Sequence, residues 1–167
     1  VVWGVADALR VTDCVSPFDY TEFLAQDYDD IRMPVNGLRA KYTRGSVTLE
    51  AVCNPVADFF VLPTDERNPW VIRLPSATLP YTTDLESGKP EKKIKNMEFG
   101  GRASVNLSGI DFSVSALRTW NKQPALCPAL WGDGRMLHIN GQYRRMTMLG
   151  ADCSLPVGQF VLRAEVA

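Results

Sequence analysis

The strongest secondary-structure signal runs from Phe99 to Ala116 and has the sequence FGGRASVNLSGIDFSVSA. Apolar or small residues occupy every second position up to Leu107, and polar residues or glycine fill the positions between them. A turn at Ser108-Gly109 follows, and the same alternation then resumes. Because the side chains of a strand point alternately to opposite faces, this pattern predicts a β-hairpin with one apolar and one polar face.

Two further hairpins are predicted, one before the central hairpin in the sequence and one after it. Their strands alternate in the same way, and each pair is joined by a short turn. The pairs are residues 36–43 with 46–57 and residues 142–155 with 160–167, with turns at Arg44-Gly45 and at 156–159. Residues 1–12 predict another strand, so we expect about seven strands in all. The long connections 61–97 and 121–141, which contain several prolines, are expected to be loops.

A short helix is predicted where the strand pattern is interrupted, near residues 17–26. Ser16 is a suitable N-cap residue, and Pro17 suits the first helical position. Asp19 lies where an acidic residue completes a capping box. This is the one helix that the sequence predicts.

The turns and strands together favour an all-β fold, an antiparallel β-barrel or part of one. Very short turns at one end of the strands and long connections at the other are typical of outer-membrane barrels. Strands of about ten residues can also cross a bilayer at a tilt. We expect residues 1–167 to form a single β-barrel-type domain, and because both ends resemble the interior of a strand, we expect a fragment of a longer barrel.

The composition excludes several classes of protein. The 167 residues include 18 Lys and Arg and 19 Asp and Glu, which gives a net charge of -1. Nucleic-acid-binding proteins usually carry a clear basic excess, so no nucleic-acid partner is expected. With the single histidine His138, no Cys-x-x-Cys pair and no nucleophile motif, the sequence predicts no metal site, no cofactor and no enzymatic activity. The spacing of the four cysteines does not show whether any pair forms a disulfide.

Charged residues of both signs occupy the polar face of the predicted strands. A water-filled barrel lumen has this character, because opposite charges pair across neighbouring strands. The other face, which is rich in Leu, Val, Ala and Phe, suits contact with lipid. The residues predicted to line the lumen are Arg39, Lys41, Glu50, Arg102, Asp111, Arg144, Asp152, Arg163 and Glu165.

An acidic stretch containing Asp27, Asp29 and Asp30 follows the predicted helix, with Arg32 close behind. It lacks the glycine and the closing glutamate of an EF-hand loop, so a solvated or arginine-paired stretch is the favoured interpretation. The alternative is that these four residues fold into the lumen as a constriction, where facing carboxylates and arginines set the selectivity of a pore.

Alternation alone does not show whether the apolar face meets lipid or a protein core. The alternative to a membrane barrel is a soluble antiparallel β-barrel or sandwich that binds an apolar small molecule. That alternative predicts that Leu49, Val105, Phe112 and Leu149 are buried in a protein core. The membrane hypothesis places the same four side chains against lipid.

Five segments also suggest a family. They are WGVAD (3–7), SPFD (16–19), YDDIRMP (28–34), MLGAD (148–152) and GQFVLRAE (158–165). Together they resemble a family of poorly characterised, porin-like outer-membrane β-barrel proteins of Gram-negative bacteria. The resemblance implies localisation in the bacterial outer membrane, membrane lipid as a partner, and a passive transport or channel role. Because some members of that family are associated with hydrophobic compounds, it also implies a small hydrophobic solute.

Overall fold

A computed structural model describes residues 2–6, 11–23, 25–27, 29–71, 80–131 and 136–167. It confirms the all-β fold class. The strands within these residues are β1 (Leu38–Arg44), β2 (Val47–Asn54), β3 (Tyr81–Asp84), β4 (Glu98–Leu107), β5 (Ile110–Trp120), β6 (Ala125–Trp131), β7 (Met136–Gln142), β8 (Arg145–Val157) and β9 (Phe160–Val166). A single 3-10 turn spans Ile94–Asn96. No helix among the described residues would reach across a bilayer.

The strands form two sheets. Six of them form an antiparallel sheet in the order β1-β2-β4-β5-β8-β9, and the other three form a small sheet in the order β3-β7-β6. Within the described residues the large sheet is open, and β1 and β9 are its edge strands. The large sheet therefore carries the hairpins that the sequence predicts, but it is not a closed barrel.

The three predicted hairpins are confirmed, and each turns within two residues, although the first turn is at Gly45-Ser46 rather than at Arg44-Gly45. Leu107 pairs with Ile110, so the central loop is Ser108-Gly109, with φ of 50° and 90°. Positive φ at both positions is the geometry of a type I′ turn, which matches the twist of the flanking strands. The third turn is shorter than the predicted 156–159. Strand β8 continues to Val157, and the chain then turns at Gly158-Gln159.

The predicted helix near residues 17–26 is wrong. The backbone N–H of Asp19 donates to the carbonyl of Ile31 at 2.7 Å, and that of Tyr20 donates to the carbonyl of Val61 at 2.9 Å. These donors are therefore used by distant segments rather than by a helix. Local capping signals were present, but backbone pairing with segments far along the chain took precedence.

The strand count and the two long loops also need correction. The described part of residues 1–12 contains no strand, whereas the connection 61–97 contains β3, and 121–141 contains β6 and most of β7. Nothing local signals β3, because its parallel partner β7 is more than fifty residues away. Pro128 argued against a strand at β6, but β6 is an edge strand, where proline is tolerated.

The apolar face of the six-stranded sheet is exposed. Fourteen of its large side chains are between 41% and 75% accessible, and Leu149 is 68% accessible. This contradicts the expectation that Leu49, Phe112 and Leu149 lie in a protein core, and Val105 is only half-buried. The exposed large side chains of this apolar face are Leu38, Tyr42, Val47, Leu49, Phe99, Leu107, Ile110, Phe112, Val114, Leu149, Val157, Phe160, Leu162 and Val166.

The chain itself covers part of the opposite, polar face, whereas Arg39, Lys41, Asp111 and Arg163 on this face stay exposed. Residues 2–6 and 11–15, here called the N-terminal segment, lie across it. Trp3 and Val15 of this segment are each 1% exposed, and they pack against Leu117 and other apolar side chains of the sheet. The sheet is thus inverted relative to an ordinary soluble sheet, since the face that carries the charged residues is partly covered and the apolar face is bare.

Candidate functional site

The register of the six-stranded sheet brings polar side chains from separate strands into rows. Each row crosses the sheet on the polar face, so residues distant in sequence become neighbours. The rows comprise Lys41, Glu50, Arg102 and Ser115; Ser104, Ser113, Asp152 and Glu165; and, nearest the tight turns, Asn106, Asp111, Ser154 and Arg163.

Arg102 links two of these rows. Its Nη2 atom donates to both carboxylate oxygens of Asp152, at 2.9 and 3.1 Å, and its Nε atom donates to the Ser113 hydroxyl at 2.8 Å. Ser113 in turn donates to Asp152 at 2.5 Å. The Asp152 side chain is 3% exposed, so this triad holds a buried charge with its hydrogen bonds satisfied.

Glu50 joins the edge of the sheet to the N-terminal segment. Its carboxylate accepts a hydrogen bond from Arg39 at 2.5 Å and another from the indole Nε1 of Trp3 at 2.7 Å. The indole nitrogen of a buried tryptophan needs an acceptor. Glu50 therefore fixes the position of Trp3 over the polar face.

Glu165 holds the same segment at the other edge. One of its oxygens accepts hydrogen bonds from the backbone N–H groups of Val5 and Ala6, at 2.5 and 2.6 Å. Its second oxygen lies 3.3 Å from the hydroxyl of Thr12. Gly4 allows this approach, because it has φ of +106° and an added Cβ would lie 2.7 Å from the carboxylate.

A second buried ion pair lies where β4 begins and β5 ends. The Nζ atom of Lys122 donates to both carboxylate oxygens of Glu98 at 2.6 Å, and the hydroxyl of Thr119 donates to one of them, also at 2.6 Å. Burial lowers the pKa of Lys122, and the charge of Glu98 offsets only part of that effect. This pair ties the loop after β5 to the sheet.

Most of the residues predicted to line a lumen lie on the polar face. Arg39, Lys41, Glu50, Arg102, Asp111, Asp152, Arg163 and Glu165 occupy it. These are four cationic and four anionic residues, and Glu98 on the same face is paired with Lys122, so the charges balance. Arg144 is an exception, because it is exposed in the connection between β7 and β8.

The predicted constriction residues do not act as a group in the structure. Asp27, Asp29 and Asp30 are exposed in a turn. Arg32 instead forms an ion pair with the buried carboxylate of Asp13, and its guanidinium lies 5.5 Å from the centre of the Phe18 ring. The side chain of Arg32 is thus engaged with the residues around Asp13 and Phe18.

Several residues of this site were not singled out from the sequence. Ser113 is on the predicted polar face, but it carries no charge and was not singled out. No local sequence pattern predicts that Glu98 and Lys122 form an ion pair. Trp3 was expected in a strand, whereas it caps the sheet through Glu50. Only the long-range register would have revealed these contacts.

The chain was compared with protein-family models, with curated proteins and with solved structures, and none of them matches. Its function is therefore inferred from geometry and chemistry.

Proposed function

We propose that the six-stranded sheet is part of the wall of a bacterial outer-membrane β-barrel with a passive transport role. The observation that carries this proposal is the inversion of the sheet. Its bare face is apolar, and its covered face holds the hydrogen-bonded charges. An outward apolar face and an inward polar face are the arrangement of a membrane barrel.

The energetics favour lipid as the partner of the apolar face. Removing one Leu, Ile, Val or Phe side chain from water is worth about 1.5–3 kcal/mol. The apolar face presents fourteen large side chains that are 41% to 75% exposed. Monomers in water rarely leave contiguous apolar patches larger than a few hundred Å² uncovered. Contact with acyl chains would remove these fourteen side chains from water together.

The polar face suits a passive conduit better than an ion-selective one. Its charges are balanced, and Arg102, Asp152, Glu50 and Arg39 are held in pairs. Strong ionic selectivity in pores comes from rings of one sign of charge. The N-terminal segment fills part of the space over this face, so it would restrict the pathway for solutes.

The sheet edges add one requirement to the proposal. The outer edges of β1 and β9 have no partner strand among the described residues. Unpaired backbone groups cost several kcal/mol each in a bilayer core. The proposed barrel therefore contains further strands that pair with these two edges.

Reconstitution tests the proposal. The full-length barrel protein, including the strands that pair with β1 and β9, is refolded with and without detergent micelles and followed by β-sheet circular dichroism, and is then incorporated into liposomes for swelling assays with small uncharged solutes. We expect native sheet only with micelles, and solute entry only in liposomes that carry the protein. A stable folded monomer in detergent-free buffer would contradict the membrane assignment. Sheet in micelles without solute entry would contradict the transport role alone.

A further inference from the structure

An aromatic pocket lies beyond the end of the sheet that carries the long connections. Its volume is about 620 Å³, and its walls come from three separate segments. The first contributes Tyr20 and Phe23, the second contributes Phe60 and Trp70, and the third contributes Gln123. This volume is within the range of small-molecule sites in proteins.

The chemistry of the lining defines the ligand. Every lining residue is uncharged, and four of them are aromatic. The polar side-chain groups are the Gln123 amide, the Tyr20 hydroxyl and the indole N–H of Trp70. A sugar would need more hydrogen-bond partners than these, and an ion would lose its hydration without compensation. The lining therefore suits an uncharged ligand with a flat apolar ring.

Backbone hydrogen bonds hold the walls of the pocket together. The N–H of Tyr20 donates to the carbonyl of Val61 at 2.9 Å, and the N–H of Phe60 donates to the carbonyl of Lys122 at 3.2 Å. The side chain of Asn68 donates to the carbonyl of Thr21 at 2.7 Å. Since Lys122 is itself tied to Glu98 of β4, the pocket is formed before any ligand enters.

Phe23 provides an independent indication of a functional site. Its φ is +33°, which is a strained backbone conformation for a bulky residue. Its ring is 51% exposed, with its centre 6.2 Å from that of Trp70. This backbone conformation places an apolar ring at the mouth of the pocket. The ring is partly in solvent there, so its burial contributes little to stability.

We propose that this pocket binds uncharged solutes containing an apolar ring. The role of the pocket as a capture site for the transported solute rests on the proposed function. It restricts the proposed transport to one class of solute. Binding itself requires only the loops described here. It is therefore tested separately from membrane insertion.

The test is ¹⁹F NMR of the refolded full chain labelled with 5-fluorotryptophan. The Trp70 resonance is assigned by W70F, and 2-naphthol is added as an uncharged bicyclic probe. We expect the Trp70 resonance to shift saturably, whereas the resonance of buried Trp3 stays in place. The charged analogue 2-naphthoate should bind at least about tenfold more weakly, which is 1.4 kcal/mol.

Two variants separate the pocket from nonspecific uptake into the detergent. F23A should weaken the response of Trp70 by about tenfold. F99A is the matched control, because Phe99 is 50% exposed on the apolar face of the sheet, close to the 51% of Phe23. V71F, which adds a ring to the wall, should also weaken binding. Equal responses of F23A and F99A, no saturation, or equal binding of naphthoate would overturn the proposal.

The outcomes also separate this proposal from the proposed function. If the chain folds without detergent and Trp70 still responds saturably, the membrane assignment fails and the pocket stands. If the chain inserts and conducts but Trp70 does not respond, the pocket fails and the transport role stands.

Discussion

At the scale of single residues, the Glu98–Lys122 pair joins the sheet to its long connections. Both side chains are almost fully buried, and the carboxylate accepts three side-chain hydrogen bonds from Lys122 and Thr119. Removing one partner of such a pair leaves an uncompensated buried charge, which usually costs about 3–5 kcal/mol. We expect K122M to lower the free energy of unfolding by that amount, measured by urea titration in micelles.

The double variant E98Q/K122M is the control for that prediction. It removes both charges, so most of the lost stability should return. Equal destabilisation by the single and double variants would show that packing rather than charge makes Lys122 important.

The residue-level interpretation of the sequence was right where alternation fixed a face. Arg102 and Asp152 were placed on one face, and the structure pairs them at 2.9 Å. The sequence-based prediction was incomplete for side-chain contacts between segments that are far apart in the chain. Arg32 was grouped with the neighbouring aspartates, whereas its partner is Asp13, and no spacing rule connects those two residues.

At the scale of elements, the central hairpin depends on its two-residue turn. Gly109 has φ of +90°, which favours glycine over any β-branched residue. We expect G109V to cost about 1–2 kcal/mol, because a side chain is strained in this region. The measurement is the shift of the urea midpoint for the refolded chain.

Ser108 supplies the control for the turn. Asn and Gly are the preferred residues of type I′ turns, so S108N should be neutral or stabilising. A loss of stability in S108N equal to that in G109V would contradict the assigned turn.

The N-terminal segment is the element that covers the polar face, and Glu165 holds it. We expect E165A to release it, because the N–H groups of Val5 and Ala6 lose their acceptor. Hydrogen exchange at these two amides should accelerate, and solute entry in the liposome assay should increase. E165Q keeps an acceptor oxygen and should lie between the wild type and E165A. Unchanged exchange in E165A would show that other contacts hold the segment.

The elements differ in how far the sequence predicts them. The three hairpins were predictable, because alternation and turn residues are local signals. The helix near residues 17–26 was not, because its backbone groups bond to distant residues such as Ile31 and Val61. Strands β3, β6 and β7 were missed, because β3 pairs with a distant strand and β6 contains Pro128.

At the scale of the whole molecule, the proposed location in a membrane depends on what meets the apolar face. An arginine on the lipid-facing side near the bilayer midplane costs about 2–4 kcal/mol. The same substitution at an exposed position in water usually changes stability by less than about 0.5 kcal/mol. We therefore expect L149R to destabilise the refolded protein strongly.

The matched control for L149R is S104R. Ser104 is on β4 but on the polar face, where a charge is tolerated in a lumen. Its effect should be small. If L149R and S104R had the same small effect, Leu149 would face water instead of lipid.

The sequence predicted the two faces of the sheet but not their environment, because the alternation of apolar and polar residues is the same in a membrane sheet and in a soluble one.

The most direct measurement is the collision rate of nitroxide spin labels placed one at a time along residues 110–117 of β5. The four native cysteines are first replaced by alanine, and the chain is refolded into lipid bilayers. We predict high accessibility to oxygen dissolved in lipid at residues 110, 112, 114 and 116, and low accessibility at the residues between them. Labels at the even positions that collide mainly with a water-soluble nickel reagent would show that the apolar face meets water instead of lipid.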